Sequence, residues 1–257
     1  MKTTALMLFS LLVATPALGA IHTEAVDYKD GDVQLQGYLA YDDALTGKRP
    51  GVLVVHEWWG LGPYVKMRAE MLAKQGYVAF APDMYGKGLY SHDHQQAGKW
   101  AGAFQKDRAM MRKRALAGLA VLQGQKNVDP SKIVAMGYCF GGTAALELAR
   151  AGADLKGVVT FHAGLETPNP DQTPHLKAKI LINQGADDTY TRGGLPALEE
   201  ELKKAGAEYQ INIYSGAVHG FTVKEAGNNP ASGMAYNAEA DLRSWQALQS
   251  FLAEVFQ

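Results

Sequence analysis

The chain has 257 residues, with 25 Lys and Arg against 26 Asp and Glu, for a formal net charge of −1. This balance offers no basic excess to hold phosphates, which excludes a nucleic-acid binder of the electrostatic kind. A lone cysteine excludes an internal disulfide, so the fold must rest on its core rather than on covalent staples.

The chain opens on MKTTALMLFSLLVATPALGA, in which Lys2 precedes an apolar run from Ala5 to Ala14, followed by Pro16 and small residues. That is the layout of a secretory signal peptide over residues 1–20, and the expectation is an exported protein, periplasmic or secreted. The run is well short of the ~20 residues of a membrane-spanning helix, and no later stretch supplies one. Residues 21–257 then suit one α/β domain, a size at which roughly 70% of the unfolded chain's surface can be buried.

EAVDYK and VQLQGYLAY, joined by Asp30-Gly31-Asp32, alternate apolar and polar residues and predict an antiparallel hairpin. After the polar loop DDALTGKRP comes GVLVVHE, a continuous apolar strand. PYVKMRAEMLAKQG reads as an amphipathic helix closed by Gly76, and YVAFAP as a second buried strand. GKGLYSHDHQQAGKW then reads as a loop. KIVAMGY with GGTAALELARAG, and KGVVTFH with a long loop, are further strand units. The chain continues with strand AKILINQG, helix LPALEEELKKAG, strand EYQINIYSG and a last helix from about Ala238 to Phe256. Buried strands alternating with helices predict a mostly parallel sheet covered on both faces, with right-handed crossovers. Reactive groups in such sheets collect at the carboxyl ends of the strands.

Gly137-Tyr138-Cys139-Phe140-Gly141 fits the nucleophile elbow G-x-S-x-G with cysteine in place of serine. The glycines are needed because the strand must turn sharply into a helix while the nucleophile holds a strained conformation. A free cysteine is more often a small buried residue. Here a strand before it and a helix after it favour the elbow, and the helix amino terminus would favour the thiolate.

An elbow needs an acid and a base, in the chain order nucleophile, acid, histidine. Asp187 and Asp188 follow AKILINQG, and His219 follows EYQINIYSG, both at strand ends. The loop opened by VVHEWWGLGP stands where a second oxyanion donor is found, so the backbone N–H groups of Phe140 and Trp58 are the expected pair. Glu57 is placed to hydrogen bond a resting thiol, although His56 and Glu57 equally suit the end of a strand. Trp59, Tyr85 and Phe221, with Trp58 and Trp100, can line an apolar pocket or belong to the core. His92-Asp93-His94 lacks a third ligand nearby, and neither a metal nor an organic cofactor is expected.

Taken together, HEWWGLGPYVKMRAEMLAKQGYVAFAPDMYG, GYCFGG, QGADD and VHGF resemble the dienelactone hydrolase family, and the similarity runs through nearly all of residues 50–256. The resemblance implies an α/β-hydrolase fold and a Cys-Asp-His triad of Cys139, Asp188 and His219. Asp188 is preferred to Asp187 because the family's acid stands three residues after the glycine, here Gly185. It also implies that Glu57 pairs with the thiol before substrate arrives. Members that cleave dienelactone carry an arginine four residues after the catalytic histidine, where this chain has Val223, and residues 87–106 hold no arginine. The expected activity is hydrolysis of a small ester or lactone through a thioester. The rivals are a redox-sensing or ligand-binding protein of the same fold, which would lack a resolving cysteine, and a peptidase of that fold, which would lack its large access-limiting domain.

Overall fold

In the computed structural model, which describes residues 20–168 and 176–257, the alternation near the start of the described chain closes into a long hairpin. Strands β1 (Ile21–Asp30) and β2 (Val33–Asp42) pair antiparallel from Ile21 with Asp42 to Asp30 with Val33. The signal-peptide reading falls on residues outside the described part, apart from Ala20.

The remaining strands are β3 (Arg49–Val55), β4 (Val78–Ala81), β5 (Val128–Tyr138), β6 (Gly157–Phe161), β7 (Lys179–Gly185) and β8 (Tyr209–Tyr214). One eight-stranded sheet takes them in the order β1-β2-β4-β3-β5-β6-β7-β8. Only the pairings of β2, with β1 and with β4, are antiparallel; the rest are parallel.

From β3 the chain runs through α1 (Pro63–Ala73) to β4 on one side, then crosses back to β5 on the other. The strand order therefore reverses between β3 and β5, the position whose carboxyl ends host ligands in sheets of this kind. Val55 and Gly137 are register partners there, so the segment after β3 and the turn at Cys139 leave the sheet at the same end.

Alternate residues of β3 face opposite layers, and both are dry. Val52 and Val54 pack with Val65, Ala69 and Leu72 of α1 and with Leu248 and Leu252 of α6 (Ala238–Val255). Leu53 and Val55 pack with Met111, Ala115 and Leu119 of α3 (Arg108–Gln123) and with Ala144 and Leu148 of α4 (Phe140–Arg150). Such side chains contribute about 1.5–3 kcal/mol each when fully buried. Burial on both faces is why these strands read as unbroken apolar runs instead of alternating ones. Every residue of α4 is buried. Its last residue, Arg150, bonds Glu147 at 3.1 Å and Glu201 of α5 (Leu195–Lys204) at 2.7 Å, pinning the helix against its neighbour.

The sequence reading places no helix between β4 and β5, and this is corrected. Helix α2 (His94–Lys106) is followed by α3, which begins two residues after α2 ends. Asp93 caps α2 by accepting from the Gln96 amide at 2.8 Å, and Asp107 caps α3 by accepting from Met110 at 2.8 Å. The signal is weak because α2 buries only Ala97, Ala101 and Phe104. Strand β5 likewise begins at Val128, ahead of the apolar run KIVAMGY. Among the described residues no helix is long and apolar enough to cross a membrane.

Candidate active site

Cys139 stands between β5 and α4 at φ 53° and ψ −119°, a left-handed conformation that costs a non-glycine residue about 1–3 kcal/mol. Its amide donates to Phe161 O at 2.9 Å, which ties the turn to β6. The flanking glycines are demanded by close approach. A Cβ on Gly137 would lie 2.2 Å from the Gly141 carbonyl carbon, and one on Gly141 would lie 2.2 Å from Val55 O. The strand, the turn and the helix can pass one another only where those side chains are absent.

The thiol meets His219, whose Nε2 lies 3.1 Å from Cys139 Sγ. On the far side of the ring, His219 Nδ1 lies 2.9 Å from Asp188 Oδ2. Asp188 is buried in the turn after β7, and it also accepts from the Tyr190 and Thr191 amides at 3.0 and 3.1 Å and from the Thr191 hydroxyl at 2.6 Å. His219 comes from the loop after β8, where its carbonyl accepts from Ala235 N–H at 3.1 Å. Asp187 is exposed, and its amide bonds Ala217 O at 3.0 Å.

Burial alone would push the His219 imidazole down. Its interactions with Cys139 and with the Asp188 carboxylate outweigh it and hold His219 well above the usual histidine range. Burial likewise pushes Asp188 up, but His219, Thr191 and the Tyr190 amide leave it below the usual carboxylate range. Each group is held charged by its neighbours.

At the end of β3, Glu57 is buried, and that burial raises its carboxyl to about 7 against the pull of His219. The thiol's partner is His219; among the described residues no hydrogen bond joins the Glu57 carboxyl to Cys139. Two amides stand unpaired beside the elbow. Neither Trp58 N–H nor Phe140 N–H donates to another group among the described residues.

The aromatic residues divide between partly exposed and buried positions. Trp59 is half-buried, tilted against Trp58 at 4.7 Å between ring centroids and edge-on to His94 at 5.0 Å. Tyr85 packs beneath Phe140 at 5.4 Å and against Trp100 at 5.5 Å. Phe221 is fully buried against Tyr214 and His162, so it supports the histidine loop from below and lines no pocket. In the His92-Asp93-His94 run, Asp93 caps α2, His92 hydrogen bonds Tyr90 at 2.9 Å and His94 packs on the tryptophans.

Sequence reasoning missed His162. It directly follows β6 at φ 40°, fully buried, with its ring edge-on to His219 at 5.1 Å and its Nε2 2.9 Å from Thr222 Oγ1. Burial, reinforced by the His219 charge, holds this imidazole well below its usual range and therefore neutral. The available signal was its place at a carboxyl end, on the strand next to the elbow strand.

The family model of the dienelactone hydrolase family matches residues 35–256. Among solved structures, the chain is similar to P91, a dienelactone hydrolase-like promiscuous phosphotriesterase from metagenomic libraries. Identity is 37%, the TM-score is 0.88, and 93% of this chain and all of that one are covered. The protein m3DLH is similar at 37% identity with a TM-score of 0.89 over the same shares. The carboxymethylenebutenolidase of Pseudomonas putida is 27% identical over 236 residues, covering 89% of this chain and 98% of that protein. Likeness to an acylaminoacyl peptidase of Pyrococcus horikoshii, at 15% identity and a TM-score of 0.71 over 41% of that chain, reflects the shared fold alone. The family-model match from β2 through α6 places this protein in the dienelactone hydrolase family.

Proposed function

We propose that the protein is an exported hydrolase of small esters or lactones that works through a thioester on Cys139. The observation that carries this reading is the unbroken line from Sγ to Nε2 at 3.1 Å and from Nδ1 to Asp188 at 2.9 Å, with two unpaired amides beside it. The thiolate, paired with the His219 imidazolium, attacks the substrate carbonyl; the Sγ–C bond forms and the carbonyl π pair moves onto oxygen. Trp58 and Phe140 N–H hold that oxyanion. The carbon–oxygen bond to the leaving group then breaks as His219 gives its proton to the departing alkoxide. Neutral His219, oriented by Asp188, takes a proton from water, the resulting hydroxide attacks the thioester, and the acid leaves as the thiolate and imidazolium are restored.

Export rests on the leader pattern of residues 1–20. Neutral substrates are favoured because Val223 stands where an arginine would meet a carboxylate. Of the cations on neighbouring loops, Lys87 pairs with Asp27 at 2.7 Å and Arg192 donates to the Ala186 carbonyl at 2.6 Å. The likeness to P91 is the reason to include phosphotriesters among the substrates tried. The test is a panel of small aryl esters, lactones, thioesters and phosphotriesters, assayed on wild type and Cys139→Ala. Turnover that vanishes with the thiol supports the reading, and turnover that persists without it overturns it.

A further inference from the structure

The turn after β3 carries Trp58 N–H, one of the two amides assigned above to the oxyanion. Its direction is set by its own peptide unit, because in a trans peptide the N–H points opposite to the preceding carbonyl. Whatever holds the Glu57 carbonyl therefore aims the Trp58 amide. Two donors hold it: His56 Nδ1 at 2.5 Å and Gly60 N–H at 3.3 Å. On the other side of Trp58, the Tyr85 hydroxyl donates to the Trp58 carbonyl at 3.0 Å.

His56 is fully buried, and its second nitrogen, Nε2, accepts from Met84 N–H at 3.2 Å. An amide can only donate and a carbonyl can only accept, so these partners assign the ring proton to Nδ1 and leave Nε2 bare. Burial holds the imidazole below its usual range, so this neutral tautomer persists. The same ring lies stacked on Phe140, at 6.0 Å and an interplanar angle of 20°. Phe140 is the residue that carries the other donor.

We infer that His56 is a positioning residue of the oxyanion hole, clamping the Glu57 carbonyl to the segment after β4 so that Trp58 N–H faces the carbonyl oxygen of a substrate on Cys139. The inference rests on the covalent reading given above. A histidine that merely fills the end of β3 would leave the direction of that amide to Gly60 and Tyr85 alone.

Two reactions of the same thiol separate the roles. Alkylation by iodoacetamide is a displacement at carbon with no oxyanion, whereas acylation by p-nitrophenyl acetate passes through one. His56→Phe keeps the ring and removes both nitrogens. It should alkylate within about threefold of the wild-type rate while its acylation kcat falls on the order of 10²-fold, as loss of one oxyanion donor does, with KM little changed. His56→Asn places an N–H where Nδ1 stands and should recover at least about tenfold of that loss. Should His56→Phe fail to fold, His56→Gln, whose amide lies one bond farther out toward Met84, replaces it; its acylation should be the slower of the two amide variants. Acylation at the wild-type rate in His56→Phe, equal losses in alkylation and acylation, or equal behaviour of the Asn and Gln variants overturns the clamp. Activity in Cys139→Ala, assayed alongside, instead overturns the covalent reading itself.

Discussion

Asp188 Oδ2 lies 2.9 Å from His219 Nδ1, although the neighbouring Asp187 is the aspartate that faces solvent. Asp188 is buried and accepts three further bonds from Tyr190 and Thr191. That difference is what supports the proposal of Asp188, and not Asp187, as the orienting acid. Asp188→Asn should lower kcat by about 10³–10⁴-fold, as removal of the orienting carboxylate does in comparable triads, while Asp187→Asn stays within a few fold. Steady-state kinetics on one aryl ester decides it, and a reversed order would reassign the acid.

Cys139 is the chain's only cysteine, so alkylation reports on one site. Brief iodoacetamide treatment should abolish ester turnover in proportion to the carboxymethylated fraction measured by mass spectrometry. Cys139→Ser should lose on the order of 10²-fold or more, because a site that stabilises a thiolate does not deprotonate an alcohol equally well. Full alkylation with turnover intact would remove Cys139 from the mechanism.

Glu57 titrates near 7 in the folded protein, raised from 4.5 by burial. Between those values the folded state holds a proton that the unfolded state has released, so stability falls as pH rises through this window and levels off above it. The full loss from this one group is about 3 kcal/mol. Urea unfolding at pH 5 and pH 8 should show Glu57→Gln escaping that part of the wild type's loss. Parallel losses in the two proteins would mean that Glu57 ionises normally.

Val223 carries no charge with which to pair a substrate carboxylate, and on the proposed reading neutral esters should exceed carboxylate-bearing analogues in kcat/KM by about tenfold or more, the consequence of leaving a buried charge unpaired. Val223→Arg should narrow or reverse the gap. Both substrates on both proteins give the answer; a wild type that already prefers the carboxylate would place a cation in the site.

Gly141 has no room for a methyl group, since a Cβ would stand 2.2 Å from Val55 O and 2.5 Å from His56 O. Gly141→Ala should destabilise by about 3 kcal/mol or more, because backbone on β3 would have to move. Thermal unfolding that leaves Tm unchanged would show that β3 can yield.

Much of this protein is legible in local pattern. The hairpin of residues 21–42 follows from alternation around Gly31, the central strands from apolar runs buried on both faces, and the elbow from glycines two residues either side of Cys139. The succession of elbow, aspartate and histidine at strand ends also stands in the chain order, because a parallel sheet delivers all its carboxyl ends to one edge. Helices α2 and α3 escaped because their starts depend on the caps Asp93 and Asp107 and α2 buries few apolar residues. Sequence could not assign Phe221 to core or pocket, nor show that His162 supports His219, since both depend on how the loop after β8 folds back over β6. The thiol's partnership with His219 rather than Glu57, and the tautomer of His56, belong wholly to tertiary structure. Local spacing selects which residues reach the sheet edge; only three-dimensional packing decides which atoms come within hydrogen-bonding distance and which charges lose their water.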